Sequence, residues 1–430
     1  MVIPSIDIIQ GKAVQLKQGK EKVLERENPL SLAREFSRFG EIAIIDLDAA
    51  MGKGENEALV AELCRTVECR VGGGIRSVDK ARRLVEGGAV KVIVGTQAFK
   101  GNGVNGEFLA ELARAVGRER IIIALDNVLG KIVVDGWKTE TGLGFESVIK
   151  EAEPYASEFL FTRVEREGMM GGTDLKAVRS VLAATKLPVT AAGGVSTLAE
   201  IEELSGLGAG VQLGMALYTG AVSLQDAFAA SVVWKKGEGL VPTVVQDTSS
   251  QVLMVAWSSR ESLRKTFESG RAWYFSRSRK KLWMKGETSG NMQEFVKIRT
   301  DCDGDTLLLT VRQKGHACHT GKYSCFGGKA FSLGELVDVI RARLDDPPPG
   351  SYTASLTEDR AKEKIFEEAA ELVKARRGED IVWEAADVFY FVCVLLARKG
   401  IPLEEVYSEL GRRRRSPRRD DPEKQHKGGT

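Results

Sequence analysis

Over the first 230 residues, short apolar runs alternate with amphipathic stretches: VIPSID, IAIIDLD, CRVGGG, KVIVGT, IIIALD, FLFTRV, PVTAAGG and GVQLGM. Runs of this length separated by helix-length intervals predict eight βα units, and eight such units predict a closed (β/α)8 TIM barrel. The pattern shifts at KKGEGLVPTVV (235–245), a charged stretch with Gly and Pro that predicts a linker. A smaller α+β domain is expected from there to about 345, and DPPPGSY (346–352) predicts a second linker, stiffened by three prolines. The remainder reads as helix. KIFEEAAELVKARRGED predicts one helix stopped near Gly378, and IVWEAADVFYFVCVLLARKG a second, ended at Gly400 and Pro402. The expected class is therefore multidomain: a barrel over 1–234, a central α+β metal-binding domain over 238–345, an all-α domain over 350–415, and a disordered basic tail over 416–430.

The barrel segment repeats within itself. VGGGIRSVDKARRLVEGGAVKVIVGTQAF is similar to AAGGVSTLAEIEELSGLGAGVQLGMALY at an offset of about 120 residues, which pairs Asp7 with Asp126, Gly73 with Gly194, and Gly95 with Gly214. Glycine loops that lead into helices hold phosphate through backbone N–H groups. Two of them at matched positions, with Gly73, Gly74, Gly95 and Thr96 on one side and Gly193, Gly194 and Gly214 on the other, predict a substrate with a phosphate at each end. Asp7 and Asp126 end their strands at the carboxyl face, where barrel sites form, and as a pair they suggest a general acid and a general base. A salt-bridged carboxylate is the structural alternative for either alone.

Composition narrows the class. The chain has 430 residues, 43% hydrophobic content and a net charge of +2, so ordinary cores are expected and no global nucleic-acid signature exists. No apolar run approaches the ~20 residues a membrane helix needs, and MVIPSIDI lacks the charged start and apolar middle of a signal peptide. The expected location is the cytoplasm, with no nucleic-acid or membrane partner. Six cysteines in a chain this long do not suggest a disulfide framework, and Cys64, Cys69 and Cys393 read as core residues.

Candidate chemistry concentrates between 301 and 325. DCDGD, ACHTG and SCF put three carboxylates and three thiols into 25 residues. If DCDGD were an extended strand, alternation would place Asp301, Asp303 and Asp305 on one face and Cys302 on the other. Oxygen ligands suit Mg2+ and thiolates suit Zn2+, so the segment reads as a two-metal hydrolytic site; the bland alternative is a solvated acidic turn beside unrelated cysteines. WYFSRSRKKLWMKGETSGN interleaves Arg277, Arg279, Lys280 and Lys285 with aromatic residues, which fits either a phosphate and base pocket or an edge strand with snorkelling cations. In the predicted helices, Glu367 or Glu368 with Glu371, and Glu384 with Asp387, form paired carboxylates at one-turn spacing. Like charges at that spacing repel, and the second pair lies in an apolar stripe, which favours a Mg2+ site over a solvated face.

These motifs carry a resemblance to histidine-biosynthesis enzymes over nearly the whole chain. SRSRKKLWMKGETSGN, DCDGD, ACHTG and SCF resemble phosphoribosyl-AMP cyclohydrolase. That resemblance implies that Cys302, Cys318 and Cys325 ligate Zn2+, that Asp301, Asp303 and Asp305 bind Mg2+, and that His319 is catalytic or orients substrate. It also implies a homodimer through this domain, since the first cysteine comes from the partner subunit in that family. His316 has no assigned role. The C-terminal segment is similar to phosphoribosyl-ATP pyrophosphatase, an all-α, MazG-like enzyme whose metal signature here reads Glu367, Glu368 and Glu371, then Glu384 and Asp387. PSIDIIQGKAV, IIDLDAAMGKGEN, VGGGIRS and AAGGVST resemble the ProFAR isomerase barrel, which implies Asp7 as base, Asp126 as acid and Thr162 as a polar helper. The barrel departs from that family's pattern at Gln15, Arg163, Glu167, Met169 and Met215.

The implied reactions are consecutive and run in reverse chain order. Mg2+ on the helical carboxylates would serve attack of water on the α/β phosphoanhydride of phosphoribosyl-ATP. Zinc would supply the water that opens the purine ring of phosphoribosyl-AMP, with Arg277, Arg279 and Lys285 near the phosphates. In the barrel, Asp126 would protonate the furanose oxygen and Asp7 would remove the C2 proton in an Amadori rearrangement of ProFAR. The alternative is a bifunctional cyclohydrolase and pyrophosphatase with a catalytically silent barrel as scaffold.

Overall fold

The computed structural model describes residues 1–19, 21–101, 103–234 and 238–415; the expected tail over 416–430 lies outside them. Eight parallel strands close the N-terminal barrel: β1 Val2–Ile9, β2 Ile42–Asp46, β3 Cys69–Gly72, β4 Lys91–Val94, β5 Ile121–Val128, β6 Glu158–Arg163, β7 Val189–Ala192 and β8 Gly210–Leu213. Each pairs with the next, and β8 returns to β1 with Val2 opposite Val211. The strands read as nearly unbroken apolar runs because helices cover the barrel outside and side chains fill it inside.

The internal repeat is visible in the backbone. β1 and β5 share one burial pattern along their eight residues, in which the sixth, Asp7 or Asp126, is the first that is only partly buried. Each strand then turns into an antiparallel hairpin, starting at Lys12 and at Lys131. The glycine loops match too, with one correction. Gly73 (φ 97°) corresponds to Gly193 (φ 90°), and Gly74 (62°) to Gly194 (82°), so the expected pairing of Gly73 with Gly194 is off by one residue. A Cβ on Gly73 would lie 2.1 Å from Asp46 O, and one on Gly193 would lie 2.6 Å from Arg163 O. The two positions share the same crowding as well as the same dihedral, which is what fixes the register. Gly95 (ψ −101°) and Gly214 (ψ −94°) match as expected.

A buried ionic cluster ties four strands near their amino ends. Arg70 Nη2 donates to Glu41 at 2.8 Å and its Nη1 to Glu158 at 2.5 Å; Lys91 Nζ and Thr190 Oγ1 reach the same Glu158 carboxylate at 2.8 and 2.6 Å. Such charges are tolerated in a barrel interior because each is paired and hydrogen-bonded.

The second domain is a four-stranded sheet in the order β10-β9-β12-β11, where β9 is Val241–Asp247, β10 Val252–Ser258, β11 Gln293–Thr300 and β12 Leu307–Gln313. The expected linker over 235–245 is therefore shorter, since Val241 already opens a strand. Pro242 is the second residue of its strand, paired with Trp257 of β10 but placed before the ladder to β12 begins at Thr243. A separate hairpin, Trp273–Ser276 with Lys281–Met284, carries the basic segment on its turn. One apolar core runs from the barrel into this domain: the Phe39 ring centroid lies 5.9 Å from that of Phe228, 5.2 Å from Phe267 and 6.0 Å from Phe295.

DCDGD is not an extended strand. β11 ends at Thr300, and 301–306 form a turn with Gly304 at φ 75°. Asp301 Oδ1 accepts from the backbone N–H of Asp305 (3.0 Å) and Thr306 (3.1 Å), so a local side-chain bond outcompetes the ladder. The inference from strand alternation, that Cys302 faces away from the aspartates, loses its basis.

The helix Leu333–Asp345 belongs with the C-terminal helices rather than with the sheet domain, which moves the expected boundary at 345 back to about 332. Its Val337 and Ile340 pack in a separate core with Leu356, Ala361, Phe391, Val394 and Leu403. The helices Glu358–Lys374 and Gly378–Arg398 form a hairpin. Gly378 starts the second rather than stopping the first, which ends where Ala375 turns extended (ψ 135°). The final helix, Leu403–Arg415, rests against the barrel helices Glu57–Thr66 and Val78–Gly87. Among the described residues no helix is long and apolar enough to cross a membrane.

Candidate active sites

The carboxyl ends of the barrel strands enclose a cavity of about 250 Å³. Its wall includes both expected carboxylates, Asp7 and Asp126, both glycine loops (Gly73, Gly74, Gly193, Gly194), Gly95, Thr96, Thr162 and Gly214. The half-barrel repeat thus delivers every barrel residue expected from the sequence to one chamber. Ser5 Oγ donates to Asp7 Oδ1 at 2.7 Å, and burial pushes Asp7 up to about 6 against that bond. Burial also raises Asp126, opposed by hydrogen bonds from the Trp137 indole (Nε1 to Oδ2, 2.9 Å) and the Thr162 hydroxyl.

A third carboxylate shares the chamber. Glu167 is pushed up to about 8, first by burial and then by the negative fields of Asp7 and Asp126. Near neutral pH the chamber therefore holds an ionised Asp7 and a protonated Glu167, the division of labour expected of a base and an acid. The sequence shows Glu167 only as a departure from a pattern. The usable signal is its place just after the FLFTRV run, in the loop that follows β6.

The two glycine loops have different cavity neighbours. Arg76 stands beside Gly73 and Gly74, with its guanidinium donating to Ala49 O (2.8 Å) and Ala50 O (2.9 Å). Around Gly193, Gly194 and Gly214 the cavity wall presents Met170, Val195, Gln212 and Met215. Gln15 is buried behind Gly214, where a Cβ on that glycine would lie 2.5 Å from Gln15 Oε1.

In the sheet domain, the turn brings the carboxylates of Asp301, Asp303 and Asp305 together, with one oxygen of each within 4.8 Å of the others. Three hard anionic donors at that separation fit a hard divalent cation. Cys318 and Cys325 form a second cluster. Hydrogen bonds from Thr320, whose Oγ1 lies 3.0 Å from Cys318 Sγ, pull the Cys318 thiol below its ordinary range, while burial and the neighbouring Cys318 push Cys325 up. Lys285 faces both sulfurs. Burial lowers its ammonium, opposed by the fields of Cys325 and Cys318. Two thiols beside a cation fit a zinc site that needs at least one more ligand. Cys302 is exposed on the acidic turn and does not join the pair within this chain. His319 is exposed on the turn after Cys318, and His316 Nε2 lies 2.9 Å from Asn291 Nδ2. Arg277 and Arg279 are exposed at the hairpin turn, their guanidinium carbons 4.1 Å over Trp257 and 5.9 Å over Trp283.

In the helical domain, Glu368, Glu371 and Glu384 converge, with one oxygen of each within 4.8 Å of the others. Asp387 lies outside that group but faces Glu384, whose carboxyl is raised by burial and then by Glu371, Glu368 and Asp387. Glu367 points away to an ion pair with Lys364, which also reaches Glu368, each at 3.0 Å. The apolar stripe expected around the second pair is open rather than buried: Val382 and Trp383 are 70% exposed, because this end of the hairpin projects past the core around Phe391.

Comparison with known proteins assigns the three domains. Residues 1–223 match the family described as histidine biosynthesis protein. The chain belongs to that family. Residues 254–327 match phosphoribosyl-AMP cyclohydrolase and 333–414 match phosphoribosyl-ATP pyrophosphohydrolase. The chain is 45% identical to the histidine biosynthesis bifunctional protein HisIE of Pyrococcus furiosus over 201 residues, covering 43% of this chain and 96% of the relative. Over 196 residues it is 47% identical to the protein of the same name from Thermosynechococcus vestitus, covering 41% and 92%. Over 192 residues it is 43% identical to the one from Bacillus subtilis, again 41% and 92%. The chain is a histidine-biosynthesis enzyme with cyclohydrolase and pyrophosphohydrolase domains behind a barrel consistent with ProFAR isomerase. The carboxylate turn and thiol pair fall within the cyclohydrolase match, and the glutamate triad within the pyrophosphohydrolase match.

Proposed function

We propose that one chain carries three consecutive steps, from phosphoribosyl-ATP through phosphoribosyl-AMP and ProFAR to the ketose isomer of ProFAR. The observation that carries this reading is the convergence of a separate carboxylate cluster in each domain, with a thiol pair elsewhere in the second domain.

In the helical domain, Glu368, Glu371 and Glu384, with Asp387 behind them, would hold Mg2+. When bound, that ion would neutralise charge developing on the phosphates as pyrophosphate leaves. Lys364 keeps Glu368 oriented.

In the cyclohydrolase domain, Asp301, Asp303 and Asp305 would hold Mg2+, and Cys318 with Cys325 would provide two zinc ligands. Zinc, when bound, would lower the pKa of a water from ~15.7 to about 7, which makes it a nucleophile for C6 of the purine. Cys302 of a second copy is our proposed third ligand, and a homodimer follows from it. The separation of Cys302 from the Cys318 and Cys325 pair within one chain supports this. Lys285 beside the sulfurs, and Arg277, Arg279 and His319 at the exposed rim, would orient the phosphoribosyl substrate.

In the barrel, Asp7 would remove the C2 proton. Glu167, rather than Asp126 alone, would donate to the furanose oxygen, because it holds a proton at neutral pH. Asp126 would be oriented by Trp137 and Thr162. Six free cysteines support a cytoplasmic location.

A second reading, a silent barrel acting as scaffold, is favoured by the cavity wall at the second glycine loop, which presents Met170 and Met215, while Arg166 beside Gly194 is bonded to the carbonyls of Gly171 and Gly172. One experiment separates the two. Phosphoribosyl-ATP is supplied to the purified protein with Zn2+ and Mg2+, and the end product is identified by mass spectrometry and chromatography. Arrival at the ketose isomer supports three steps; arrest at ProFAR retires the barrel as an isomerase; arrest at phosphoribosyl-AMP counts against the cyclohydrolase site, and arrest at phosphoribosyl-ATP against the pyrophosphatase site.

A further inference from the structure

Strand β11 is the edge of the cyclohydrolase sheet and leads directly into the acidic turn. The barrel covers that edge. Ile298 N donates to Arg38 O at 2.8 Å. The Arg38 guanidinium donates to Val296 O (Nε, 3.2 Å) and Phe295 O (Nη2, 3.4 Å), and its carbon lies 4.5 Å from the centroid of the Phe295 ring. Arg299 Nη1 returns a bond to Ser37 O at 3.1 Å. On the far side of the aspartates, Val233 N donates to Gly304 O at 2.8 Å, and a Cβ on Gly304 would lie 3.3 Å from Val233 Cγ2. Barrel backbone thus grips the chain just before Asp301 and again between Asp303 and Asp305.

That grip answers a physical problem. Three carboxylates within 4.8 Å repel one another, and an exposed six-residue turn can relieve the repulsion by splaying. Fixing the turn at Ile298 and Gly304 keeps the oxygens convergent before a cation arrives, and prior organisation of ligands raises affinity. Gly304 suits the contact twice, since it adopts φ 75° and leaves room for Val233.

We infer that the barrel is the positioning element of the acidic turn in the cyclohydrolase domain, with Arg38 and Val233 as its positioning residues. The inference rests on the reading that Asp301, Asp303 and Asp305 hold a divalent cation. It holds whether or not the barrel is an isomerase, because neither residue lines the barrel cavity.

The test is amide hydrogen exchange of the 301–306 peptide in the full-length protein, with and without a Mn2+ titration, for wild type, Arg38→Ala and Val233→Pro. Glu202→Ala serves as a control; it breaks the exposed Arg260–Glu202 ion pair at the same domain interface but away from the turn. Both positioning variants are expected to exchange the turn amides about tenfold faster, the loss of roughly one buried hydrogen bond. The Mn2+ midpoint read from that peptide should also rise about tenfold, with the control and the 193–195 barrel-mouth peptide unchanged. Unchanged exchange and midpoint in Arg38→Ala overturn the inference even if Val233→Pro does not fold. If Mn2+ leaves the wild-type turn unaffected, the cation reading fails instead, and the exchange rates without metal alone decide the clamp.

Discussion

Trp137 donates its indole N–H to Asp126, Nε1 to Oδ2 at 2.9 Å, from a loop position at φ 69°. Its ring also closes on Gly19, where a Cβ would lie 2.8 Å from Trp137 Cζ3. One side chain therefore orients a catalytic candidate and joins the hairpins of the two half-barrels. Trp137→Phe keeps most of the ring and removes the donor. Because that bond holds Asp126 down against burial, its loss is expected to raise the Asp126 pKa and cut isomerase kcat about tenfold, with a smaller effect on KM. Steady-state kinetics on ProFAR check this.

The barrel reaction should have a bell-shaped pH profile. Asp7 at about 6 must be ionised and Glu167 at about 8 must keep its proton, so kcat/KM should rise through pH 6 and fall through pH 8. Glu167→Gln should remove the alkaline limb and lower kcat by about 10²-fold or more. Stability follows the same groups with a definite sign. Both folded pKa values lie above their unfolded values, so their contribution is full below about pH 4 and is lost as pH rises, through about 6 for Asp7 and about 8 for Glu167. Denaturant midpoints should show Glu167→Gln stabilising the barrel more at pH 9 than at pH 4.

Breaking the ionic cluster at the barrel floor should cost stability without touching chemistry. Arg70 is 1% exposed and pairs with Glu41 and Glu158. Arg70→Ala leaves buried carboxylate behind, and a loss of about 3–5 kcal/mol is expected, read as a lower urea midpoint. The cyclohydrolase kcat of the still-folded fraction should be unchanged.

Cys302→Ser and Cys325→Ser should each lose zinc and cyclohydrolase activity. If the third ligand comes from a second copy, co-refolding the two inactive variants regenerates an intact site in mixed dimers, up to roughly a quarter of wild-type activity for random pairing with one site restored per mixed dimer. No recovery, with zinc bound by monomers of wild type, would count against the shared site.

Glu371→Gln should abolish pyrophosphate release while sparing the cyclohydrolase. Glu384 is raised by burial and by its neighbours, so a proton competes with Mg2+ there as pH falls, and Mg2+ affinity should strengthen as pH rises. Calorimetric titration at two pH values checks the direction and the proton release.

The eight strands were legible because short apolar runs alternate with helix-length stretches and repeat at a fixed offset. Asp7, Asp126 and the glycine loops followed from that repeat. The metal motifs were legible as donor sets at short spacing. What failed was local geometry. DCDGD alternates like a strand, yet the Asp301 carboxylate closes a turn on Asp305 and Thr306. Gly378 looks like a helix stop and is a helix start. The helix Leu333–Asp345 is amphipathic in either domain, and only its burial against Phe391 and Leu403 assigns it.

The sequence by itself determined the chemistry available to this protein, since residue type and spacing decide which atoms can bind a hard cation, a soft one or a phosphate. Tertiary structure alone decided which groups share a site. Glu167 is a candidate acid because folding set it beside Asp7 and Asp126, where burial and like charge raise its carboxyl. The acidic turn came under the control of Arg38 and Val233, 263 and 68 residues before Asp301, because the barrel packs on the edge of the neighbouring sheet. Fields and contacts depend on distance in space, and chain spacing does not encode it.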